Sequence, residues 1–367
     1  MRLLLLFVSC FLLYYSVHAQ KLHPEINKIL GEIKNFNTAE WRSDSSANRP
    51  LRSNTEASNF KRYTFYKKIH QKLKNINNAS LSFDDQINRE LLMHDVLDEI
   101  SSYQYKSFLI PLLSDNGFHT SLAGRGNTTI ASKKDAEDYL ETLKDIPQFV
   151  DEHITLIKTG LQNGVHQPKV ILPGILDPFS TLVTDTVEKF VLWKPFTKKP
   201  SSISESEWKT YQQSAHILLK NNIIPSFKKL DDFFQKEYMP KARTTLGAAH
   251  FPDGKKYYED RVRHYTTTNL SSEEVYNIGL KEVARIRGEM DAVLKQVEFK
   301  GSFKEFIVYL RTDPKFYPKT ADELLKEAAY ISKKVDGKLP SLFGKLPRQP
   351  YTVAPVPEHL APAYTAG

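Results

Sequence analysis

The chain comprises 367 residues, 40% of them hydrophobic and 26% charged, which excludes a disordered or collagen-like polymer and leaves enough apolar material for one large core or two smaller ones. Lys and Arg number 51 against 43 acids, for a net charge of +8. The cations are interspersed with glutamates rather than massed, so the concentrated stripe of a nucleic-acid binder is missing and no nucleic-acid partner is expected.

The first element is a leader. Arg2 gives a positive start, Leu3 to Tyr15 form an apolar run, and Val17-His18-Ala19 places small residues where a signal peptidase reads. This layout predicts a signal peptide over 1–19, cleaved between Ala19 and Gln20, and a secreted product. The run is shorter than the roughly 20 apolar residues that span a bilayer, so no stable membrane span is expected after cleavage. Cleavage removes Arg2 and no acid, leaving +7. It also removes Cys10, the only cysteine, and with it any disulfide, thiol catalysis or Cys-ligated zinc. A secreted chain without disulfides draws its stability from core size. The triplets at Asn78, Asn127 and Asn269 have the Asn-x-Ser/Thr form that carries glycans in a eukaryotic host.

Residues 20–61 read as a polar lead-in, with turn formers concentrated in Ser43-Asp44-Ser45-Ser46-Ala47-Asn48-Arg49-Pro50. From Arg62 the apolar spacing becomes helical. Ile87, Leu91, Leu92, Val96, Leu97 and Ile100 predict a helix over 83–105. Tyr139, Leu140, Leu143, Ile146, Val150, Ile154 and Ile157 predict another over 134–160, kinked or split at Pro147. Residues 175–193 and 204–238 read as further helices, the second opened by a capping box of Ser204 and Glu207. The best-specified helix is 272–297. Ser271 and Glu274 form its capping box, Leu270 and Val275 occupy staple positions, and Val275, Ile278, Val283, Ile286, Met290, Val293 and Val297 share one face. That face predicts packing against a bundle. Thr320-x-x-Glu323 opens a helix to Val335, and Gln349–Pro357 reads as extended. The fold class is mainly α.

The search for chemistry returns absences. No two histidines of the mature chain lie three to five residues apart, the spacing that places two zinc ligands on one helix face. Gly160 and Gly164 bracket Gln162 rather than a serine, so there is no nucleophile elbow. Gly124-Arg125-Gly126 lacks the third glycine and preceding strand of a dinucleotide site. His94 reads as a solvated or capped histidine rather than a ligand, and Asp84-Asp85 as complements to a helix dipole. Tyr63, Tyr66, Tyr257 and Tyr258 have core spacing, with a sugar or peptide groove as the alternative. No catalytic and no metal residue can be named.

A series of phrases nevertheless resembles one family. They are Ile87-Asn88 with Glu90-Leu91-Leu92, then Gly160-Leu161-Gln162-Asn163-Gly164 with Gln167-Pro168-Lys169, then Glu237-Tyr238-Met239-Pro240-Lys241-Ala242-Arg243. Pro252-Asp253-Gly254 with Tyr257-Tyr258 and Tyr265-Thr266-Thr267-Thr268 follow. The most specific phrase runs from Ser272 to Ile286 and continues to Glu289-Met290. Asp313-Pro314-Lys315-Phe316-Tyr317 and Tyr351 to Pro357 complete the order. Together they are similar to domain-of-unknown-function family 885, often secreted helical proteins that resemble zinc metallopeptidases.

The resemblance implies a multi-helix metallopeptidase-like array over 62–367, and, in full-length relatives, zinc and a peptide substrate. Tyr276 departs from it, standing where many relatives carry histidine. The family's metal motif, of the form His-Glu-x-x-Pro-Gly-His, would lie downstream of Ala363-Tyr364-Thr365-Ala366-Gly367. The expectation is therefore the N-terminal portion of a secreted metallopeptidase-like hydrolase, incomplete at its C-terminus and inactive. A non-catalytic secreted binding protein is the alternative.

Overall fold

The computed structural model describes residues 22–42, 50–112, 117–173, 184 and 186–356. The expected signal peptide, its Ala19–Gln20 junction, most of the helix expected from 175 and the end of the extended segment lie outside these residues. The described residues are mainly helical and form no strand, only the isolated bridges Leu112–Gly117 and Pro168–Arg243. None of their helices is long and apolar enough to cross a membrane. The chain divides into two compact units, Met1–Asn269 and Leu270–Gly367, where the sequence reading places one domain from residue 62.

The first unit starts earlier than its polar composition suggests. Helix α1 (Pro24–Arg42) lies inside the stretch read as a lead-in, and α2 (Glu56–Lys74) begins before residue 62. Ile26 and Ile29 are buried on α1, with Ile33 packed alongside, so three apolar residues at helical spacing anchor an otherwise polar helix. They join Tyr66, Ile69 and Leu73 of α2 and Val96 of α3 (Phe83–Gln104) in a small core. Ser82 caps α3, and its hydroxyl and the His23 backbone N–H hold the Asp85 carboxyl below the ordinary carboxylate range.

The larger core of this unit is organised on α5 (Lys133–Gln162), preceded by the short α4 (Phe118–Gly124). Ser132 and Asp135 form its capping box. The helix runs through Pro147 as one element, so of the kink or split expected there the split does not occur. Proline removes one backbone N–H, and the buried Leu143, Ile146, Val150 and Ile154 bind the face across that gap. The end of α5 is a Schellman turn: Gly164 takes φ +70°, Val165 N donates to Gly160 O at 2.9 Å, and Gly164 N to Leu161 O at 3.4 Å. Packed on α5 are α6 (Glu205–Leu218) and α7 (Ile224–Phe233). Two π-helical segments, Leu219–Ile223 and Phe234–Tyr238, flank α7. Residues 187–189 and 191–196 are 3₁₀ turns rather than the expected helix, with Pro195 inside the second. Last in the unit is α8 (Gly254–Thr266).

The second unit contains α9 (Ser272–Gln296), α10 (Phe303–Thr312) and α11 (Ala321–Asp336). Ser271–Glu274 and Ser302–Glu305 are capping boxes, and Thr320 caps α11. Phe299, Phe306, Tyr309 and Phe316 form a chain of ring contacts at 5.0–5.5 Å around α10. The expected packing of the α9 face is not found. Among the described residues of this unit only Leu294 is buried, while Ile278, Val283, Ile286, Met290, Val293 and Val297 are exposed.

Candidate functional site

The first unit holds a pocket of about 300 Å³ lined by the segment before α2, by α2, by α4 and its end, and by α5. Its making begins with two carboxylates two turns apart on α5. Asp145 accepts from Leu51 N at 3.0 Å, and Glu152 from Asn54 N at 2.9 Å and Ser53 Oγ at 3.3 Å, so residues 51–54 are tied along the helix. Thr55 then opens α2 through a capping box with Ser58. This places Arg52, Ser53 and Asn54 in one wall, with Arg62 of α2 behind them.

Arg62 is buried, and each of its three nitrogens has an acceptor. Its Nε donates to Glu40 Oε2 at 3.0 Å, its Nη1 to Asn59 Oδ1 at 3.2 Å, and its Nη2 to the Ser53 carbonyl. Glu40, itself buried, also accepts from Lys61 Nζ at 2.8 Å and lies 4.0 Å from Arg52 Nε. Burial and the Arg52 charge lower the pKa of Arg62, while Glu40 opposes them. Arg125 enters from the other side, just after α4. The adjacent Gly126 is required by close approach, since a Cβ there would meet the Val191 carbonyl oxygen at 2.4 Å.

Phe118, Leu122, Phe149 and Leu51 supply the apolar lining. His153 stacks on Phe118, with centroids 4.1 Å apart. Its Nδ1 lies 2.7 Å from the Phe149 carbonyl, which can only accept, so Nδ1 carries the hydrogen. Nε2 then accepts from Asn54 Nδ2 at 3.0 Å, and Asn54 Oδ1 accepts from Asn59 Nδ2 at 2.9 Å. Burial pushes the pKa of His153 down to about 4, and it does the same to His119 of α4. Both imidazoles are neutral at physiological pH, and His153 is locked as a structural ring rather than a proton carrier.

A second cluster joins α3 to α8 over 170 positions of sequence. The rings of His94 and His264 stack at 4.3 Å, and His94 Nε2 donates to the His264 carbonyl at 2.9 Å, satisfying an acceptor in the last turn of α8. Arg261 bridges Asp98 at 2.6 Å and Asp260 at 2.7 Å, and reaches Ser101 Oγ at 2.9 Å. His94 thus ties α3 to the last turn of α8.

Zinc needs a converging set of side-chain donors. Among the described residues no three His, Cys, Asp or Glu side chains gather as a ligand group, so these residues do not fit the metal and no step through it is assigned to them. Of the expected modification sites, Asn78, Asn127 and Asn269 are all exposed; Asn78 accepts from Arg89, and Asn127 from Lys194 Nζ at 3.0 Å. Tyr66 is buried, its hydroxyl donating to Asn37 Oδ1 at 3.2 Å, whereas Tyr258 is exposed. The pocket arginines escaped the sequence reading because they come from three separate segments. The usable signal was the Asn54-Thr55-x-x-Ser58 cap in a stretch otherwise read as loop.

The model of the family described as bacterial protein of unknown function, DUF885, matches residues 39–367. The chain belongs to that family. No curated protein matches this DUF885 chain in sequence. In fold it is similar to a candidate lipoprotein from Colwellia psychrerythraea, at TM-score 0.77 and 18% identity, over 93% of this chain and 62% of that one. It is also similar to a candidate lipoprotein of unknown function from Shewanella oneidensis, at TM-score 0.53 and 16% identity, over 88% of this chain and 58% of that one. The chain thus spans about three fifths of the length of these solved proteins. At such identities the likeness establishes the helical fold alone.

Proposed function

We propose that this chain forms the N-terminal, non-metal-binding part of a secreted, metallopeptidase-like hydrolase, supplying helical walls to a peptide-binding fold and no catalysis of its own. One observation carries the reading: α9 is built for burial on one face, and that face is exposed. A capped helix with a seven-residue apolar stripe is the design of a packed element, and an apolar surface of that kind marks an interaction site. Further chain of the same polypeptide is its proposed cover, which accords with the greater length of the two solved relatives. Export is supported by the leader pattern at 1–19 and by the lipoprotein descriptions of those relatives. Zinc, on this reading, belongs to residues outside those described.

The test is purification of residues 20–367, followed by metal analysis, a peptide-cleavage assay, and dye binding with 1-anilinonaphthalene-8-sulfonate. The expected product holds no stoichiometric zinc, cleaves nothing, binds the dye and self-associates with concentration. Stoichiometric zinc together with cleavage would overturn the proposal. A monodisperse, dye-silent product that melts cooperatively would favour the second reading, a non-catalytic secreted binding protein. The observation behind that alternative is the unit 1 pocket, which is complete without any residue of unit 2.

A further inference from the structure

We propose that the pocket between α2, α4 and α5 binds a small organic carboxylate with an apolar body, whose carboxylate is held by Arg52 and Arg125 and whose body lies on Phe118, Leu122 and Phe149. The inference is independent of the hydrolase reading, because it uses unit 1 alone.

Charge comes first. Three guanidinium side chains and no carboxylate line the pocket. The nearby acids are otherwise committed. Glu40 accepts from Lys61 and Arg62, Asp145 from Leu51 N, and Glu152 from Ser53 and Asn54. Glu99, which interacts with Arg52 and Arg62, has its pKa raised by burial. The lining is therefore cationic.

Donor accounting comes second. Each nitrogen of Arg62 already has an acceptor, in Glu40, Asn59 and Ser53. Arg52 differs: its Nε and Nη2 are buried and have no hydrogen-bond partner among the described residues. Its Nε stands 4.0 Å from Glu40, an ion-pair distance too long for a hydrogen bond. Arg125 makes no side-chain hydrogen bond or ion pair to any described residue. A buried donor without an acceptor is costly, so an acceptor from outside relieves a standing penalty. A guanidinium fork matches the two oxygens of a carboxylate in plane and spacing.

Shape comes third. His153 offers no donor, since its Nδ1–H is spent on Phe149 and its Nε2 on Asn54. Apart from Ser53, Asn54 and Ser121, the remainder of the lining is aromatic and aliphatic, and the volume of about 300 Å³ stands at the lower end of small-molecule sites. An inorganic anion would leave that apolar surface unused. Peptide C-termini and short fatty acids share the required chemistry, and the experiment separates them.

Binding to residues 20–367 is measured by isothermal titration calorimetry with N-acetylphenylalanine, N-acetylphenylalaninamide, octanoate and inorganic phosphate. The acid binds, and its amide is weaker by at least about tenfold, the loss expected for one charge-assisted bond. Arg52→Gln and Arg125→Gln each weaken the acid by about tenfold, and Ser121→Trp, which fills the pocket from the α4 side, abolishes binding. N-acetylphenylalanine tighter than octanoate assigns a peptide-derived ligand, and the reverse order a lipid-derived one. Equal binding of acid and amide, phosphate as tight as either acid, indifference to Arg125→Gln, or no binding of any probe to a cooperatively melting protein would each overturn the proposal.

Discussion

Helices α5 and α9 are written in the same local language and meet different fates. Each opens with a capping box, carries a one-sided apolar stripe and closes with a Schellman turn. On α5 the stripe is sealed, with Leu143, Ile146 and Val150 fully buried. On α9 Val283 is 68% exposed and its neighbours on the stripe are open too. Caps and periodicity thus specify that a helix forms and which face is apolar. Burial depends on what the rest of the chain, or another surface, brings to that face.

Substitutions at the two stripes break this comparison most directly. Phe227→Ala, in the sealed core of unit 1, is expected to cost about 3–5 kcal/mol in denaturant unfolding, whereas Val283→Ala stays within about 0.5 kcal/mol. A core-sized loss at Val283 would mean that the α9 stripe is covered in solution. Removing Glu40 should come close behind. Glu40→Ala strands the buried Arg62 charge, for an expected loss of about 3–5 kcal/mol, against little change for Glu282→Ala on the exposed surface of α9.

Acid also acts on unit 1. The folded-state pKa of His153 and of His119 lies at about 4, below the unfolded value near 6.5. Between these values the unfolded chain binds the extra protons, so the neutral-imidazole stability is present above about 6.5 and lost as pH falls toward 4. His153 alone accounts for a loss on the order of 3 kcal/mol across that window. A melting-temperature series from pH 7 to 4 should decline, and His153→Gln should flatten the decline. A flat wild-type profile would contradict the burial of both rings.

The smallest effect distinguishes the two Schellman turns. Gly164 occupies the left-handed position after α5, but Glu298 does so after α9, at φ +53°. A side chain there is strained, so Glu298→Gly should stabilise α9 by up to about 1 kcal/mol, read from its hydrogen-exchange protection. Gly164→Glu should lose a comparable amount.

The legible part of the fold is the part that chemistry writes locally. Ser204–Glu207, Ser271–Glu274 and Thr320 open helices where expected, and α3 and α5 follow their apolar spacing. Helix α1 was hidden because only a few of its residues reach the core, and the unbroken run through Pro147 because packing overrides a local breaker. The pocket was less legible. Arg52, Arg62 and Arg125 gain meaning only when residues 51–54 are tied to α5 by Asp145 and Glu152, a pairing across more than 90 positions that no periodicity encodes. His94 and His264 were invisible together for the same reason.

The π-helical segments beside α7 let unit 1 absorb a one-residue difference in chain length. Each π turn accommodates a residue beyond the regular α-helical repeat. Deleting one residue between 219 and 223 would let the backbone close ordinary α-helical rungs and leave α7 close to its present phase, because the π turn already absorbs the extra residue. Phe227 and Leu230 would keep facing the core, and the Tyr238 hydroxyl, 3.0 Å from Gln167 N, would keep its donor. The irregular turns act as phase correctors, keeping the same side chains on the core whether or not the extra residue is present.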